Sequence, residues 1–379
     1  MKKKTVLLYA AGSKDWIGGL YYVKNVAFQL SQNKDLLSKY NLVLWIQDKD
    51  NAAVFSDLPD IIKIKYSPSN NGGISYLCSY IYGIFNNVKA VYPMSNGNTR
   101  LGKKKLVNWI PDFQHNRLPE NFMQDEIDSR NSQFLGISNS QIPLILSSHD
   151  AENDFRNFYS KGKHNVYVMP FVSNIVNYIR SISSEEEKNI LEKYKLVNEK
   201  FVLISNQFWK HKNHIVVLKA IKEIGINHKG SELHFVFTGY PKDYRNPEYY
   251  NSLMELLNDE SIKNRTHFLG FIDRQEQIVL MKKSEFLIQP SLFEGWGTVV
   301  EDAKVLDKTI VLSDIPVHRE QKSDKCIFFE AKNHVDLAEK IIYAEHLEKH
   351  DDIEKGIRDM YQRADEYSKN FLRMLDEME

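Results

Sequence analysis

Two glycines and several acidic residues lie close together in the second half of the chain, between residues 289 and 304. The pattern predicts an apolar strand that ends at Pro290 and a helix that begins near Thr298, joined by a loop containing Gly295 and Gly297. Glycines let the backbone approach a ligand closely, and the N-terminus of a helix favours an anion. The segment therefore predicts a site for an anion such as a diphosphate. A tight strand-to-helix turn is the alternative interpretation of the same two glycines.

The acidic residues of this segment could contact the sugar parts of a ligand. Glu294 precedes the glycines and is predicted to project into a ligand-binding cleft, while Glu301 and Asp302 fall on the first turns of the helix. A carboxylate there can accept hydrogen bonds from a ribose. Acids that only complement the helix dipole are the alternative.

A second strand-turn-helix pattern covers residues 201–214, with a buried strand predicted over Phe201–Ser205. His211 and His214 follow the strand, but two histidines without a third ligand nearby are poor support for a zinc site. Packing at the start of the helix explains them better, and Asn213 is the predicted N-cap.

These two segments resemble the retaining glycosyltransferases of family 4, which have the GT-B fold. The resemblance rests on residues 294–303, on residues 308–316 and on residues 201–214. That family carries two glutamates with seven residues between them. Counting from Glu294 places the second acid at Asp302, with Glu301 one position earlier.

The resemblance implies a role for each matching residue. Glu294 would lie beside the donor sugar, Asp302 or Glu301 would hold the ribose, and Lys212 would grip the donor diphosphate. Gln207 stands where the family usually has an arginine, which removes one fixed charge and leaves a neutral hydrogen-bonding group. The implied donor-binding residues of the second half are Gln207, Lys212, Gly239, Phe271, Ile272, Glu294, Gly295, Trp296, Gly297, Thr298 and Asp302.

The first half of the chain matches the family less specifically. Gly18 and Gly19 belong to a glycine-rich loop, Gly12 to Tyr22, that follows the first strand and lacks the spacing of a dinucleotide-binding fingerprint. The implied active-site histidine is His115, which joins Glu294 and Lys212 as a predicted catalytic residue. An alternative alignment puts the histidine position at Pro111, with Asp112 next to it.

Two further first-half segments have open interpretations. Ser148 either lines the acceptor side of the predicted site or caps the helix that follows it. Asp48-Lys49-Asp50 has the spacing of a metal-binding Asp-x-Asp motif, but a solvated turn explains it better. We therefore predict no metal and no cofactor, the nucleotide sugar being a co-substrate. Lys212, the amides near Gly297 and Thr298, and the helix dipole would stabilise the leaving diphosphate.

The composition limits the classes of partner. The chain has 379 residues, Lys+Arg and Asp+Glu number 50 each, and this balanced charge does not favour a nucleic-acid ligand. Two cysteines without a CxxC pattern favour a reducing compartment. No run of apolar residues approaches the length of a membrane span. We predict a cytoplasmic protein, with peripheral contact at the inner membrane face as a further expectation; the sequence does not indicate an oligomeric state.

Alternating apolar strands and helical segments predict an α/β protein with two Rossmann-like doubly wound domains and a cleft between them. The resemblance implies the GT-B fold, in which the two domains face each other across that cleft. The predicted domains are 1–175 for acceptor binding, 176–350 for the nucleotide sugar, and a C-terminal helix at 351–379 that packs back toward the first domain. The predicted strands are 6–10, 42–46, 61–66, 91–94, 106–110, 134–138, 144–147, 166–170, 201–205, 233–238, 267–269, 286–289, 309–313 and 326–329.

The resemblance implies transfer of a sugar from a UDP- or GDP-sugar to a saccharide or glycolipid, in bacterial surface polysaccharide or lipopolysaccharide synthesis. Two alternatives stay open. A GT-B-like nucleotide-sugar epimerase would need no acceptor, and a non-catalytic nucleotide-sugar-binding subunit would bind a donor without transferring it.

Overall fold

The computed structural model describes residues 3–10, 17–94, 106–140, 142–159 and 164–378. The predicted glycine-rich loop lies outside the described residues from Gly12 to Trp16. The described chain forms two compact units. The first comprises residues 1–113, 124–174 and 359–379, and the second comprises residues 114–123 and 175–358.

The first unit is built on a parallel sheet that has seven strands among the described residues, in the order β3-β2-β1-β4-β5-β6-β7. Its strands are β1 Lys4–Ala10, β2 Tyr40–Ile46, β3 Ile62–Tyr66, β4 Val88–Met94, β5 Leu106–Trp109, β6 Leu144–Leu146 and β7 Val166–Val168. Most of the central strand residues are fully buried, which explains the continuous apolar runs in the sequence.

The second unit contains a parallel sheet with six strands among the described residues, in the order β10-β9-β8-β11-β12-β13. Its strands are β8 Phe201–Ser205, β9 His234–Thr238, β10 Thr266–Gly270, β11 Leu287–Gln289, β12 Ile310–Ser313 and β13 Cys326–Phe329. The order reverses between β8 and β11, which makes the carboxyl ends of these two strands the topological switch point of a doubly wound sheet.

Helices connect the strands in both sheets. In the first half they are α1 Ile17–Ser31, α2 Lys34–Lys39, α3 Gly72–Phe85, α4 Gln114–Arg117, α5 Gln124–Ser140, α6 His149–Phe158 and α7 Val176–Ser181. In the second half they are α8 Ser184–Lys193, α9 His214–Asn227, α10 Tyr249–Leu256, α11 Glu260–Lys263, α12 Arg274–Lys283, α13 Thr298–Val305, α14 Pro316–Glu320, α15 His334–Glu345 and α16 Ile353–Glu377. Short 3-10 turns cover Lys49–Phe55, Pro119–Asn121 and Lys210–Lys212.

The strand predicted over residues 134–138 is wrong, because these residues form part of α5. Phe134, Ile137 and Ser138 are buried, whereas Leu135 is exposed. Burial at positions i, i+3 and i+4 follows the helical period and not the alternation of a strand. The short apolar run at 134–137 is compatible with either element, and the polar residues before it belong to the same helix.

Ser148 caps α6, since its side chain accepts a hydrogen bond from the Ala151 backbone N–H at 3.0 Å. Asp48 likewise caps the 3-10 turn that follows β2, accepting from the Asp50 N–H at 3.0 Å. Helix-capping and turn geometry therefore account for both segments.

Within the residues that the structure describes, no helix is long and apolar enough to span a membrane.

Candidate functional site

The carboxyl ends of β8 and β11 lie side by side in the second unit, and the loops that follow them are joined by hydrogen bonds. The Leu292 N–H donates to the His211 carbonyl at 2.8 Å. The Asn213 side chain donates to the carbonyls of Pro290 and Ala331, at 3.1 and 2.8 Å. Asn213 does occupy the N-cap position of α9, but its backbone is left-handed and its side chain links the two loops instead of capping. These bonds fix the two predicted motifs against each other.

Gly239, at the end of β9, holds the loop after β8 from the other side. Its φ is +148°, and a Cβ added there would lie 1.9 Å from the Asn206 carbonyl oxygen and 2.9 Å from the Gln207 Cα. Such distances are impossible, so only glycine allows the two backbones to come this close. The Gly239 N–H also donates to the Gly270 carbonyl at 2.9 Å, which connects this loop to the predicted residues Phe271 and Ile272.

Lys212 and Glu294 form an ion pair at this switch point. The Lys212 Nζ lies 2.7 Å from Glu294 Oε1 and 2.8 Å from Oε2. The same carboxylate also accepts hydrogen bonds from Gln289 Nε2 at 2.7 Å and from Ser291 Oγ at 2.6 Å. The side chains are 18% and 8% exposed, so the pair is mostly shielded from water yet keeps a path to it. A preorganised ammonium–carboxylate pair is therefore present where the two motifs meet.

The environment of Glu294 keeps its carboxylate ionised. Burial alone would raise the pKa of Glu294, but the charge of Lys212, the nearby His318 and the hydrogen bonds from Lys212 and Ser291 outweigh it, so the pKa is lowered. The pKa of His211 is well below its usual value, because the ring is buried and because Lys212 and Arg245 are nearby. His211 is thus neutral, and the charged side chains at this point of the site are those of Lys212, Glu294, Arg245 and Asp243.

Replacing Glu294 with glutamine is expected to lower the free energy of unfolding by about 3 kcal/mol at pH 7, since Lys212 would lose its counterion in a largely buried position. Because the pKa of Glu294 is lower in the native state than in the unfolded chain, where it is near 4.3, the ionised carboxylate stabilises the native state at pH values above 4.3. This contribution disappears as the pH falls through the native pKa. Urea unfolding at pH 7, 4 and 3 should therefore show the full difference between wild type and variant at pH 7 and a smaller difference at pH 4 and at pH 3. Glu232→Gln, at an exposed position, is the control. A difference independent of pH would contradict the assignment of a charged Glu294.

Asp302 and Glu301 point to different partners. Arg274 Nη2 lies 2.7 Å from Asp302 Oδ1, and Asp302 Oδ2 is buried without a hydrogen-bond partner among the described residues. Glu301 Oε1 accepts from Gln321 Nε2 at 3.0 Å and from Lys304 Nζ at 3.1 Å. Asp302, whose side chain is 0% exposed, therefore keeps one buried acceptor atom without a donor, whereas Oε1 of Glu301 binds two donors of the protein itself.

The helix after the glycine loop begins at Thr298, as predicted, with Gly297 at its N-cap position. Gln321 bonds Gly297 from both sides: its Oε1 accepts from the Gly297 N–H and its Nε2 donates to the Gly297 carbonyl, each at 3.0 Å. The Gly297 amide is thus engaged within the protein. Gly295, Trp296 and Thr298 are half-buried in the same loop.

The remaining predicted donor-binding residues fall at other strand ends. Gln207 is half-buried in the loop after β8, while Phe271, which follows β10, is 63% exposed and Ile272 is half-buried. Gly18 and Gly19 lie in the first unit, in the first turn of α1, where Gly18 is exposed and Gly19 is buried.

His115 lies in α4, a short helix that belongs to the second unit. Its side chain is 1% exposed, and its ring centroid lies 6.2 Å from that of Phe122. Asp112, beside the alternative position Pro111, pairs instead with Arg130 at 3.7 Å within the first unit. A buried ring against an aromatic residue is compatible with either a structural histidine or a site residue.

Arg245 is a residue that the sequence analysis missed. Its guanidinium carbon lies 4.4 Å from the ring centroid of Phe122 and 4.7 Å from that of Trp209, so the group is sandwiched between aromatic faces. Arg245 Nη1 donates to Gln114 Oε1 at 3.4 Å, next to His115. No motif surrounds Arg245 in the sequence, so only the fold reveals it.

Arg245 has one carboxylate near its guanidinium and keeps unused N–H donors. Its side chain is 3% exposed, and Nε and Nη2 have no hydrogen-bond partner among the described residues. The nearest carboxylate, that of Asp243, lies 3.7 Å from Nε, and its oxygens accept instead from the backbone N–H groups of Lys210 and Arg245. A buried guanidinium with unused donors is suited to binding an anion.

Within the described part of the chain, no group of three His, Cys, Asp or Glu side chains could hold a metal ion.

Comparison with known proteins links this geometry to a family of sugar-transferring enzymes. Residues 184–370, just under half of the chain, match the family model described as "Glycosyl transferases group 1". This match contains the loops after β8 and β11, and therefore Lys212, Glu294 and Asp302.

Two curated relatives are similar over part of the chain. A stretch of 94 residues is 29% identical to the O-antigen biosynthesis glycosyltransferase WclY of Escherichia coli, covering 25% of this chain and 26% of the relative. A stretch of 217 residues is 22% identical to the O-antigen chain mannosyltransferase RfbU of Salmonella typhimurium, covering 52% of this chain and 61% of the relative. The chain thus spans less than two thirds of the length of each relative.

Solved structures match over the whole length. A glycosyltransferase from Rickettsia africae superposes with a TM-score of 0.71 at 16% identity, covering 100% of this chain and 99% of that one. Anabaena Alr3699/HepE in complex with UDP and glucose gives a TM-score of 0.68 at 13% identity, covering 99% and 100%. At these identities the likeness concerns the fold, and it confirms the predicted GT-B class with two Rossmann-like sheets.

Proposed function

We propose that this protein is a retaining glycosyltransferase that moves a sugar from a nucleotide-sugar donor to a saccharide or glycolipid acceptor. The observation that carries the proposal is the Lys212–Glu294 ion pair at the topological switch point of the second unit, inside the segment that matches the glycosyltransferase family. Ligands of doubly wound sheets bind at such switch points.

Lys212 can bind a diphosphate while its ion pair with Glu294 stays intact. An ammonium group has three N–H donors, and Lys212 directs two of them at Glu294. The third can reach a phosphate oxygen. When the glycosidic bond breaks, negative charge develops on the nucleoside diphosphate, and a fixed cation in a partly buried site stabilises that charge. Arg245 adds a second buried positive charge near His211.

Asp302 and Glu294 would bind the two sugars of the donor. The unpartnered Oδ2 of Asp302 can accept a hydrogen bond from a ribose hydroxyl, with Arg274 fixing the other carboxylate oxygen. Glu294 would then face the transferred sugar. Retention, and removal of the acceptor proton by a donor phosphate oxygen, follow from the family resemblance. His115 stays a candidate for the leaving-group side.

The relatives indicate where to look for substrates. Because a structural neighbour is a complex with UDP and glucose, UDP-sugars come first in a donor screen, followed by GDP-sugars. Both curated relatives are named for O-antigen synthesis, so we propose an acceptor that is a saccharide or a lipid-linked saccharide of the bacterial surface.

Transfer is tested with purified protein, a panel of UDP- and GDP-sugars, and saccharide and lipid-linked acceptors. We expect one donor to raise the melting temperature, and NMR of the product to show the donor's anomeric configuration. Chelation of divalent cations should leave the rate unchanged. Conversion of the donor without any acceptor would support an epimerase instead, and stabilisation by a donor without turnover on any acceptor would support a binding subunit.

Replacing Gln207 with arginine is expected to tighten binding of the cognate nucleoside diphosphate on the order of tenfold, the strength of one added charge-assisted hydrogen bond. Gln207 is half-buried in the loop after β8, five residues before Lys212, and its backbone position is fixed by Gly239. Calorimetric titration of wild type, Gln207→Arg and Gln207→Glu gives the comparison, and the glutamate variant should bind more weakly than wild type. Equal affinities in all three proteins would place the diphosphate elsewhere.

A further inference from the structure

Helix α3 exposes its apolar residues and buries its small ones. Five large apolar side chains lie along one side of this 14-residue helix. We call them the α3 patch; they are Ile74 at 50% exposure, Leu77 at 48%, Ile81 at 45%, Ile84 at 58% and Phe85 at 79%. Their spacing of three, four, three and one residues places them on one face of a helix about 21 Å long.

The opposite face of α3 packs on the sheet through small residues, and Tyr76, Cys78 and Tyr82 are partly buried against the same core. Ser75, Ser79 and Gly83 are buried, and Ser75 Oγ is bonded to the Tyr9 hydroxyl at 3.0 Å and to the Trp45 indole N–H at 3.1 Å. The helix is thus anchored with its polar and small residues inward. An amphipathic helix of a water-soluble surface has the reverse arrangement.

Exposed apolar side chains are ordinary when they are scattered, but a contiguous apolar patch marks a surface that is covered by something. Moving these apolar side chains from water into hydrocarbon would be favourable. The α3 patch is therefore a docking surface, and the charges around it indicate the partner.

Between Ile61 and Pro111 the chain has cations but no Asp or Glu; Asp60 precedes this segment, and Asp48 Oδ1 accepts from the Asn70 side chain just before α3, at 3.1 Å. Lys63 and Lys65 lie on the edge strand β3 and are exposed. In the parallel register they pair with Val43 and Trp45, so they point to the same face of the sheet as those residues. That is the face on which α3 packs, since the Trp45 ring lies 5.8 Å from the Tyr82 ring.

We infer that α3 docks on an anionic phospholipid bilayer, with the α3 patch among the outer acyl carbons and Lys63 and Lys65 at the lipid phosphates. A helix with one apolar face beside lysines has the form of an interfacial membrane anchor. A second copy of the chain fits less well, because an isologous contact through this face would bring like charges together. The inference does not depend on the proposed glycosyl transfer.

Vesicle co-sedimentation with the full chain tests this inference. Wild type should bind vesicles of phosphatidylcholine mixed with phosphatidylglycerol, bind phosphatidylcholine alone more weakly, and dissociate as salt is raised. Ile81→Glu should reduce binding on the order of tenfold or more. Lys63→Gln and Lys65→Gln should each weaken it by about fivefold.

The matched control is Ile226→Glu, since Ile226 is 54% exposed on α9 in the second unit and should bind vesicles as wild type does. Nucleoside diphosphate binding should be unchanged in Ile81→Glu, which separates this inference from the donor site. Absence of wild-type binding to the anionic vesicles would overturn the inference. Unchanged binding by Ile81→Glu, Lys63→Gln and Lys65→Gln would overturn it as well. A dimer in solution that Ile81→Glu converts to a monomer would also overturn it, by showing a second copy on the patch.

Discussion

Replacing Lys212 with methionine is expected to lower kcat/KM for glycosyl transfer by about 100- to 1000-fold, the usual effect of removing one preorganised group that stabilises developing charge. The substitution keeps an unbranched side chain, one heavy atom shorter, but removes both hydrogen bonds to Glu294 and the cation proposed to face the leaving diphosphate. Steady-state rates with the donor identified by the screen measure the effect. Most of the loss should appear in kcat, because the charge on the diphosphate grows as the glycosidic bond breaks.

Lys210→Met is the control for this variant. Lys210 lies in the same 3-10 turn, two residues before Lys212, and its side chain is exposed. It should turn over as wild type does. Circular dichroism and thermal unfolding test whether Lys212→Met is folded. Lys212→Arg restores a cation with a different shape and should recover part of the rate. Equal rates for Lys212→Met and wild type would remove Lys212 from the mechanism.

Replacing Gly239 with alanine is expected to lower the free energy of unfolding by about 3 kcal/mol or more. The added Cβ would lie 1.9 Å from the Asn206 carbonyl oxygen, a backbone atom that cannot move without shifting the loop after β8. The φ of +148° adds strain for any residue with a side chain. Urea unfolding measures the loss of stability, and donor affinity should fall with it because Gln207 and Lys212 follow Asn206 in the same loop.

Gly136→Ala provides the comparison, since Gly136 lies inside α5 and a Cβ there would meet no atom within 4 Å. Alanine is the better helix former, so this variant should gain up to about 1 kcal/mol. If Gly239→Ala proved as stable as wild type, the close approach of β9 to the loop after β8 would not exist in solution.

Much of the fold can be predicted from the sequence because strands buried on both faces of a parallel sheet are continuous apolar runs. Phe201–Ser205 and Cys326–Phe329 agree with prediction at both ends. Residues 134–138 were assigned incorrectly because four apolar or small residues in a row fit a strand and a buried helical turn equally well. Only the burial of Ile137 beside Phe134, with Leu135 exposed, separates the two.

The candidate site is less accessible to sequence reasoning because its contacts are long-range. The sequence places Lys212 at the donor diphosphate and Glu294 beside the donor sugar, but 82 positions separate them, and no local pattern indicates a two-oxygen ion pair. Arg245 has no motif around it, and its importance follows from the rings of Phe122 and Trp209 that enclose it. Asn213 shows the same limit: its position was predicted, but its bonds to Pro290 and Ala331 depend on tertiary structure.

The central claim is that a nucleoside diphosphate binds beside the Lys212–Glu294 pair. Isothermal titration of wild type and Lys212→Met with UDP, GDP and the free nucleosides tests it most directly. We predict that wild type binds one of the two diphosphates, that the free nucleoside binds far more weakly, and that Lys212→Met loses on the order of tenfold or more in affinity for the diphosphate. A diphosphate that binds both proteins equally well, or neither UDP nor GDP binding to wild type, would contradict the account.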